Sequence, residues 1–198
     1  MITTVLFDLG GVLLRFEPER IVENFSRAVG MTPEELHDIA LGHLKAEFET
    51  GALAPDAFRE AISMALNCAL DEAEFVPLWS DAFAPNEPIL DFFRAVKKTH
   101  RAYILSNTDP YHMRWILDRW PEVAECDGLA LSYELGARKP DPAFFEAAID
   151  RFGLTPTQCV LIDDLPENVE AGREVGFHAV LYKTAEQALA QVKPLLQE

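Results

Sequence analysis

Basic residues are scarce. The 198-residue chain carries 17 lysines and arginines against 33 aspartates and glutamates, a formal net charge of -16. A surface this acidic repels phosphate backbones and anionic headgroups, so nucleic acid and membrane are not expected partners. Cysteine is nearly missing: Cys68, Cys126 and Cys159 are odd in number and form no C-x-x-C pair. They read as free thiols in a reducing compartment, not as a disulfide framework or a thiolate metal site. No apolar run approaches the ~20 residues of a membrane-spanning helix. The short apolar run before Asp8 has neither the basic leader nor the cleavage site of a secretory signal. A soluble, cytoplasmic protein is expected, and a monomer is plausible at this size. Internal repeats and low-complexity tracts are absent, and strand signals are missing from about residue 18 to residue 83.

What is present is ordinary for a globular chain, with 49% apolar and 25% charged residues. The length supports one sizeable core, or a core with a small satellite. Thr4 to Phe7 is a short β-rich apolar run that ends at Asp8, Gly10 and Gly11, which reads as a buried parallel strand and a tight turn. The stretch without strand signals reads as several helices. One starts at Pro18, one at Thr32-Pro33 with Glu35 closing a capping box, one at Pro55, and one spans roughly Asp71 to Phe83. After the break at Ala84 to Pro88, helices and strands alternate. Strands are expected at Ala102 to Leu105, Gly128 to Leu131, Cys159 to Ile162 and His178 to Leu181. Alternation of this kind predicts an α/β fold: a Rossmann-like three-layer α/β/α core around a parallel sheet, with a small all-helical cap domain. The expected division is a core of residues 1–15 and 85–198, with residues 16–84 as the cap.

In an open α/β sheet, ligands bind beyond the carboxyl ends of the strands. Three expected strands end there in polar residues: Asp8, then Ser106-Asn107-Thr108, then Asp163-Asp164. Converging carboxylates repel one another and are costly to bury. A hard divalent cation with oxygen ligands, Mg2+ in the first place, relieves that repulsion. Lys139, fixed just before Pro140, can hold a phosphate oxygen as a point charge. Each residue also has a plainer reading: Asp8 as a turn residue, Ser106 to Thr108 and Asp163-Asp164 as helix caps, Lys139 as a solvated side chain. Their joint occurrence in this order argues for a site.

Four segments resemble the motifs of the haloacid dehalogenase superfamily, whose members are mostly phosphatases. They are Phe7 to Leu13, Tyr103 to Asn107, Gly136 to Pro140, and Val160 to Asp164 running on to Asn168. The resemblance spans nearly the whole chain, including a helical insert after the first motif. It implies that Asp8 attacks phosphorus and becomes an aspartyl-phosphate, and that Ser106 and the Asn107 backbone amide hold the transferring group. It further implies that Lys139 neutralises nucleophile and phosphate, and that Asp8, the Gly10 carbonyl, Asp164 and Asp163 form the Mg2+ site. The implied activity is hydrolysis of small phosphomonoesters, sugar phosphates among them, and the implied partner is a small phosphorylated metabolite.

One position departs from the pattern. Phosphatases of this kind usually carry a second aspartate two residues after the nucleophile, where this chain has Gly10. That aspartate protonates the leaving oxygen, help typically worth 10²–10⁴-fold. Either the substrate has a good leaving group, such as a sugar 1-phosphate or an acyl phosphate, or another residue substitutes. His43, Glu47, Glu49, Arg15 and Glu17 are the candidates, each with a plainer reading as an exposed residue. Two alternatives stay open: a metal-independent 2-haloacid dehalogenase, and a non-catalytic phosphate-binding protein of the same fold. The other histidines, His37, His100, His112 and His178, read as surface or packing residues. Trp79, Trp115 and Trp120 read as core. Specificity is expected in the helical insert, around Gly42 to Gly51, and in the first loop.

Overall fold

The computed structural model describes residues 1–197. The chain opens with β1 (Thr4–Phe7) and β2 (Leu14–Phe16), followed by the helices α1 (Glu19–Val29), α2 (Pro33–Leu41), α3 (His43–Glu49), α4 (Pro55–Ala65) and α5 (Glu72–Ser80). It continues through β3 (Phe83–Pro85), α6 (Glu87–Val96), β4 (Arg101–Ser106), α7 (Pro110–Arg119), β5 (Gly128–Leu131) and the single turn α8 (Ser132–Leu135). The last elements are α9 (Pro142–Phe152), β6 (Cys159–Asp163), α10 (Pro166–Glu174), β7 (His178–Leu181) and α11 (Ala185–Leu195). Short 3-10 turns cover Pro121–Glu125 and Pro156–Gln158.

Five strands form one parallel sheet in the order β5-β4-β1-β6-β7. Strand β1 is central and buried along its whole length, which explains why it reads as an uninterrupted apolar run. Alternate residues of the strands feed two apolar clusters on opposite faces. Val5, Phe7, Ile104 and Ile162 pack with α6 on one, and Leu6, Leu105 and Leu161 pack with α9 on the other. These are the expected three layers.

The helices between β2 and β3 bury a third cluster of their own. Phe25, Phe48, Phe58, Phe75 and Trp79 pack there, with Phe48 stacked on Phe58 at 4.1 Å between ring centres. The expected capping box is formed, with Thr32 and Glu35 opening α2, and a second one, Asp71 with Glu74, opens α5. Local sequence does not reveal β2 and β3. They pair antiparallel through three positions, Leu14 with Pro85, Arg15 with Ala84 and Phe16 with Phe83. The helix expected to run to Phe83 therefore ends at Ser80. Helix α7 starts at Pro110, where Asp109 accepts the His112 backbone N–H and caps it. Among the described residues no helix is long and apolar enough to cross a membrane.

Candidate active site

The register of the sheet creates the site. Phe7 lies opposite Ile104 on one side and Ile162 on the other, so the next residue, Asp8, emerges between the ends of β4 and β6. Its backbone N–H donates to the Ile162 carbonyl at 2.9 Å. Ser106 ends β4, Asp163 ends β6, and both are buried. The Asp8 side chain is also buried, 6% exposed.

Lys139 ties these ends together. Its ammonium lies 2.7 Å from Asp8 Oδ1, 2.6 Å from Asp163 Oδ2 and 2.8 Å from the Leu105 carbonyl. An ammonium has three N–H donors, and all three are used. The lysine backbone is fixed as well: the Asn107 amide donates to the Lys139 carbonyl and accepts from the Lys139 N–H, each at 2.8 Å. Burial alone would lower the Lys139 pKa, but the charges of Asp8 and Asp163 hold it above the ordinary lysine range. Burial pushes the Asp8 carboxyl up, Lys139 pulls it back and Asp163 pushes it up again, leaving it at about 7. Burial, and after it the charge of Asp163, also raise Asp164.

Asp8, Asp163 and Asp164 each offer an oxygen within 4.8 Å of the others. Three carboxylates beside one ammonium suit a hard divalent cation. The three are not equivalent. Asp8 and Asp164 line the cavity above the sheet, together with Gly10. Asp163 is fully buried, and its oxygens accept from Lys139, from the Leu165 N–H at 3.0 Å and from Asn168 Nδ2 at 2.9 Å. The other amide atom, Asn168 Oδ1, is buried without a partner among the described residues and belongs to a cavity-lining residue, as an acceptor beside a cation would be. Gly11 fits the same picture. It sits at φ +103°, and a Cβ there would stand 2.3 Å from Asp164 Oδ2. Asp164 occupies the space that a side chain at position 11 would need. The residues present therefore fit Mg2+.

The cavity has a volume of about 220 Å³. Its floor is Asp8, Ser106, Asn107, Lys139 and Asp164. Phe16, Phe83 and His112 form an aromatic wall, and Lys45 and Glu49 of α3 line the cavity too, with Arg138. At position 10, a Cβ would meet Phe16 Cβ at 3.5 Å and Phe83 Cε1 at 3.6 Å, ordinary contact. Glycine is thus not forced there by space, and the missing carboxylate would have stood against the aromatic wall. Of the candidate substitutes, Arg15, Glu17, His43 and Glu47 are exposed, and Glu49 alone is buried in the cavity. Helix capping does not account for the strand-end polar residues: Asp109 caps α7, and neither Asp163 nor Asp164 is the N-cap of α10. His112 is a packing residue, stacked on Trp79 at 5.3 Å, with ring nitrogens 3.0 Å from Asp109 Oδ2 and from the Trp79 carbonyl. Trp79 is fully buried, whereas Trp115 and Trp120 are partly buried against the core. Sequence reading missed Lys45, Arg138 and the side-chain role of Asn107. Only Lys45 left a signal, its helical i,i+4 spacing to Glu49.

Known proteins resemble this chain in sequence and in fold. The model of the haloacid dehalogenase-like hydrolases matches residues 2–176. A D-ribitol-5-phosphate phosphatase of Bacteroides thetaiotaomicron is 30% identical over 190 residues, covering 89% of this chain and 90% of its own. A haloacid dehalogenase-family enzyme of the same organism, solved in complex with magnesium and inorganic phosphate, superposes with a TM-score of 0.83 at 27% identity, covering 92% of this chain and 95% of that one. An L-2-haloacid dehalogenase of Xanthobacter autotrophicus shares the fold, with a TM-score of 0.67 at 19% identity over 96% of this chain and 82% of its own. The matched family model spans the strand ends, the lysine and the carboxylate cluster, and the chain belongs to the haloacid dehalogenase-like hydrolases.

Proposed function

We propose that this protein is a Mg2+-dependent phosphatase of small phosphorylated metabolites that works through an aspartyl-phosphate on Asp8. The observation that carries the reading is the Lys139 ammonium bridging Asp8 and Asp163 at the floor of a small cavity beside Asp164. Asp8, Asp164 and the Gly10 carbonyl would hold the cation, with Asp163 orienting Lys139 and Asn168. When bound, Mg2+ supplies Lewis-acid stabilisation of charge on the phosphoryl oxygens. Asp8 attacks phosphorus with one carboxylate oxygen while the bond to the leaving oxygen breaks. Lys139 favours the charged form of Asp8 and aims it, and reaches a phosphoryl oxygen by exchanging one of its present bonds. Ser106 and the Asn107 backbone N–H, at the end of β4, hold the remaining oxygens. Water then cleaves the aspartyl-phosphate, so that one difficult displacement becomes two easier ones.

Residues 16–84 act as a cap over a core of residues 1–15 and 85–198, and exclude water from the reaction. The small cavity suits a compact leaving group. The similarity to a ribitol phosphate phosphatase directs a first screen to sugar and polyol phosphates. Location in the cytoplasm and action as a monomer belong to the same reading.

The test is release of p-nitrophenol from p-nitrophenyl phosphate. Activity that needs Mg2+ and disappears in Asp8→Asn supports the phosphatase. A folded protein that binds Mg2+ and phosphate without turnover is the non-catalytic alternative. Chelator-resistant chloride release from a 2-chloro acid is the dehalogenase.

A further inference from the structure

We propose that Lys45 is the proton donor to the leaving group, in place of the carboxylate that position 10 lacks. The inference rests on the phosphatase reading and names the acid for that reaction. Lys45 and Glu49 stand one turn apart on α3 and both line the cavity above Asp8. Glu49 is 3% exposed and pairs with Lys45 through Oε1 and with Arg138 Nη2 through Oε2, at 2.8 Å. Glu49, which holds Lys45, is thereby itself held by Arg138, the core residue that precedes Lys139. The end of α3 is also seated on the core. Gly51, at φ +71°, passes so close to α8 that a Cβ would stand 2.4 Å from the Tyr133 carbonyl.

The remaining cavity groups are ill suited to give a proton. Lys139 spends its three N–H groups on protein acceptors. Arg138 carries a guanidinium, which does not deprotonate. His112 has both ring nitrogens engaged. Glu49 is a carboxylate held in ion pairs with two cations. Lys45 gives one bond to Glu49, so two of its three N–H groups make no bond among the described residues. An ammonium is a weaker acid than a carboxylic acid but a far stronger one than an alcohol, so it serves an alkoxide that is forming. As the Asp8–phosphorus bond forms and the phosphorus–oxygen bond breaks, the electron pair stays on the leaving oxygen, which takes a proton from Lys45 Nζ. The neutral amine then recovers that proton from the water whose oxygen bonds to phosphorus when the aspartyl-phosphate is cleaved.

The experiment is a leaving-group series of phosphates, from p-nitrophenyl through phenyl to benzyl phosphate, with wild type, Lys45→Met and Lys45→Arg. The nitrophenolate leaves without a proton, phenolate is no more basic than the Lys45 amine, and the benzyl alkoxide needs a proton. Lys45→Met is expected to lose about 10²-fold in kcat on benzyl phosphate and less than about 10-fold on p-nitrophenyl phosphate. Lys45→Arg keeps the pair with Glu49, and with it the fold, but has no proton to give, and should show the same graded loss. Equal losses across the series in Lys45→Arg, or no loss, overturn the proposal. Wild type inactive on every phosphate of the series counts against the phosphatase reading itself.

Discussion

Lys139 Nζ lies 2.7 Å from Asp8 Oδ1 across 131 residues of sequence, and the same ammonium is 2.6 Å from Asp163. This buried cation makes the strand-end carboxylates tolerable. Breaking a buried pair by removing one partner typically costs about 3–5 kcal/mol. Lys139→Met should lose about that much stability at pH 8 without Mg2+, measured by urea denaturation, along with its activity. Unchanged stability would mean that the lysine is not holding the cluster together.

The raised Asp8 pKa gives a signed pH dependence. The carboxyl holds its proton to about pH 7 in the folded protein, against a reference value of 3.8. Between those values the folded state binds more protons than the unfolded one, so this group makes the metal-free protein less stable as pH rises from about 4 to about 7. Mg2+ binding has the opposite sign, because the cation displaces that proton. Titration calorimetry should find binding about tenfold tighter at pH 8 than at pH 6, with a proton released at the lower pH. Equal affinity at the two values would contradict the assignment of Asp8 as a ligand.

Gly11 is tested by one methyl group. Gly11→Ala places a Cβ within van der Waals overlap of Asp164 and holds alanine at a positive φ. The backbone strain costs on the order of 1–3 kcal/mol, and Asp164 must move. The expected result is a folded protein with Mg2+ affinity weakened by at least about tenfold in calorimetry, since loss of ligand support typically costs 10–100-fold. Wild-type affinity would show that Asp164 does not hold the cation.

Asn107→Ala removes both amide bonds to the Lys139 backbone but leaves the backbone of residue 107 in place. The ammonium should lose its fixed aim. We expect kcat to fall by about 10–10²-fold, in line with small misplacements at reacting groups, with KM changed little. A rise in KM alone would place Asn107 in ground-state binding.

Much of this site is legible in the sequence because parallel strands are buried on both faces. Thr4 to Phe7 and Cys159 to Ile162 read as apolar runs, and the polar residues that interrupt them fall where ligands bind. Lys139 was legible from its order in the chain, but not its three bonds, which depend on how β1, β4 and β6 converge. The β2–β3 pair was hidden because three-residue strands carry no periodicity, and Phe16 and Phe83 meet only across the helical insert. Glu49 and the exposed Glu47 differ in role although two residues apart. Which face of α3 meets the cavity is set by the packing of Phe48 on Phe58, a contact between helices that local sequence does not specify.

The most direct test of the account is to find the phosphoryl group on Asp8. Protein turning over p-nitrophenyl phosphate with Mg2+ is quenched in acid within milliseconds, digested and analysed by mass spectrometry. The account predicts a hydroxylamine-sensitive phosphoryl group on the peptide that contains Asp8, absent in Asp8→Asn and absent without Mg2+. Turnover with no phosphoryl group on Asp8 in the quenched protein, or turnover that survives Asp8→Asn, would contradict it.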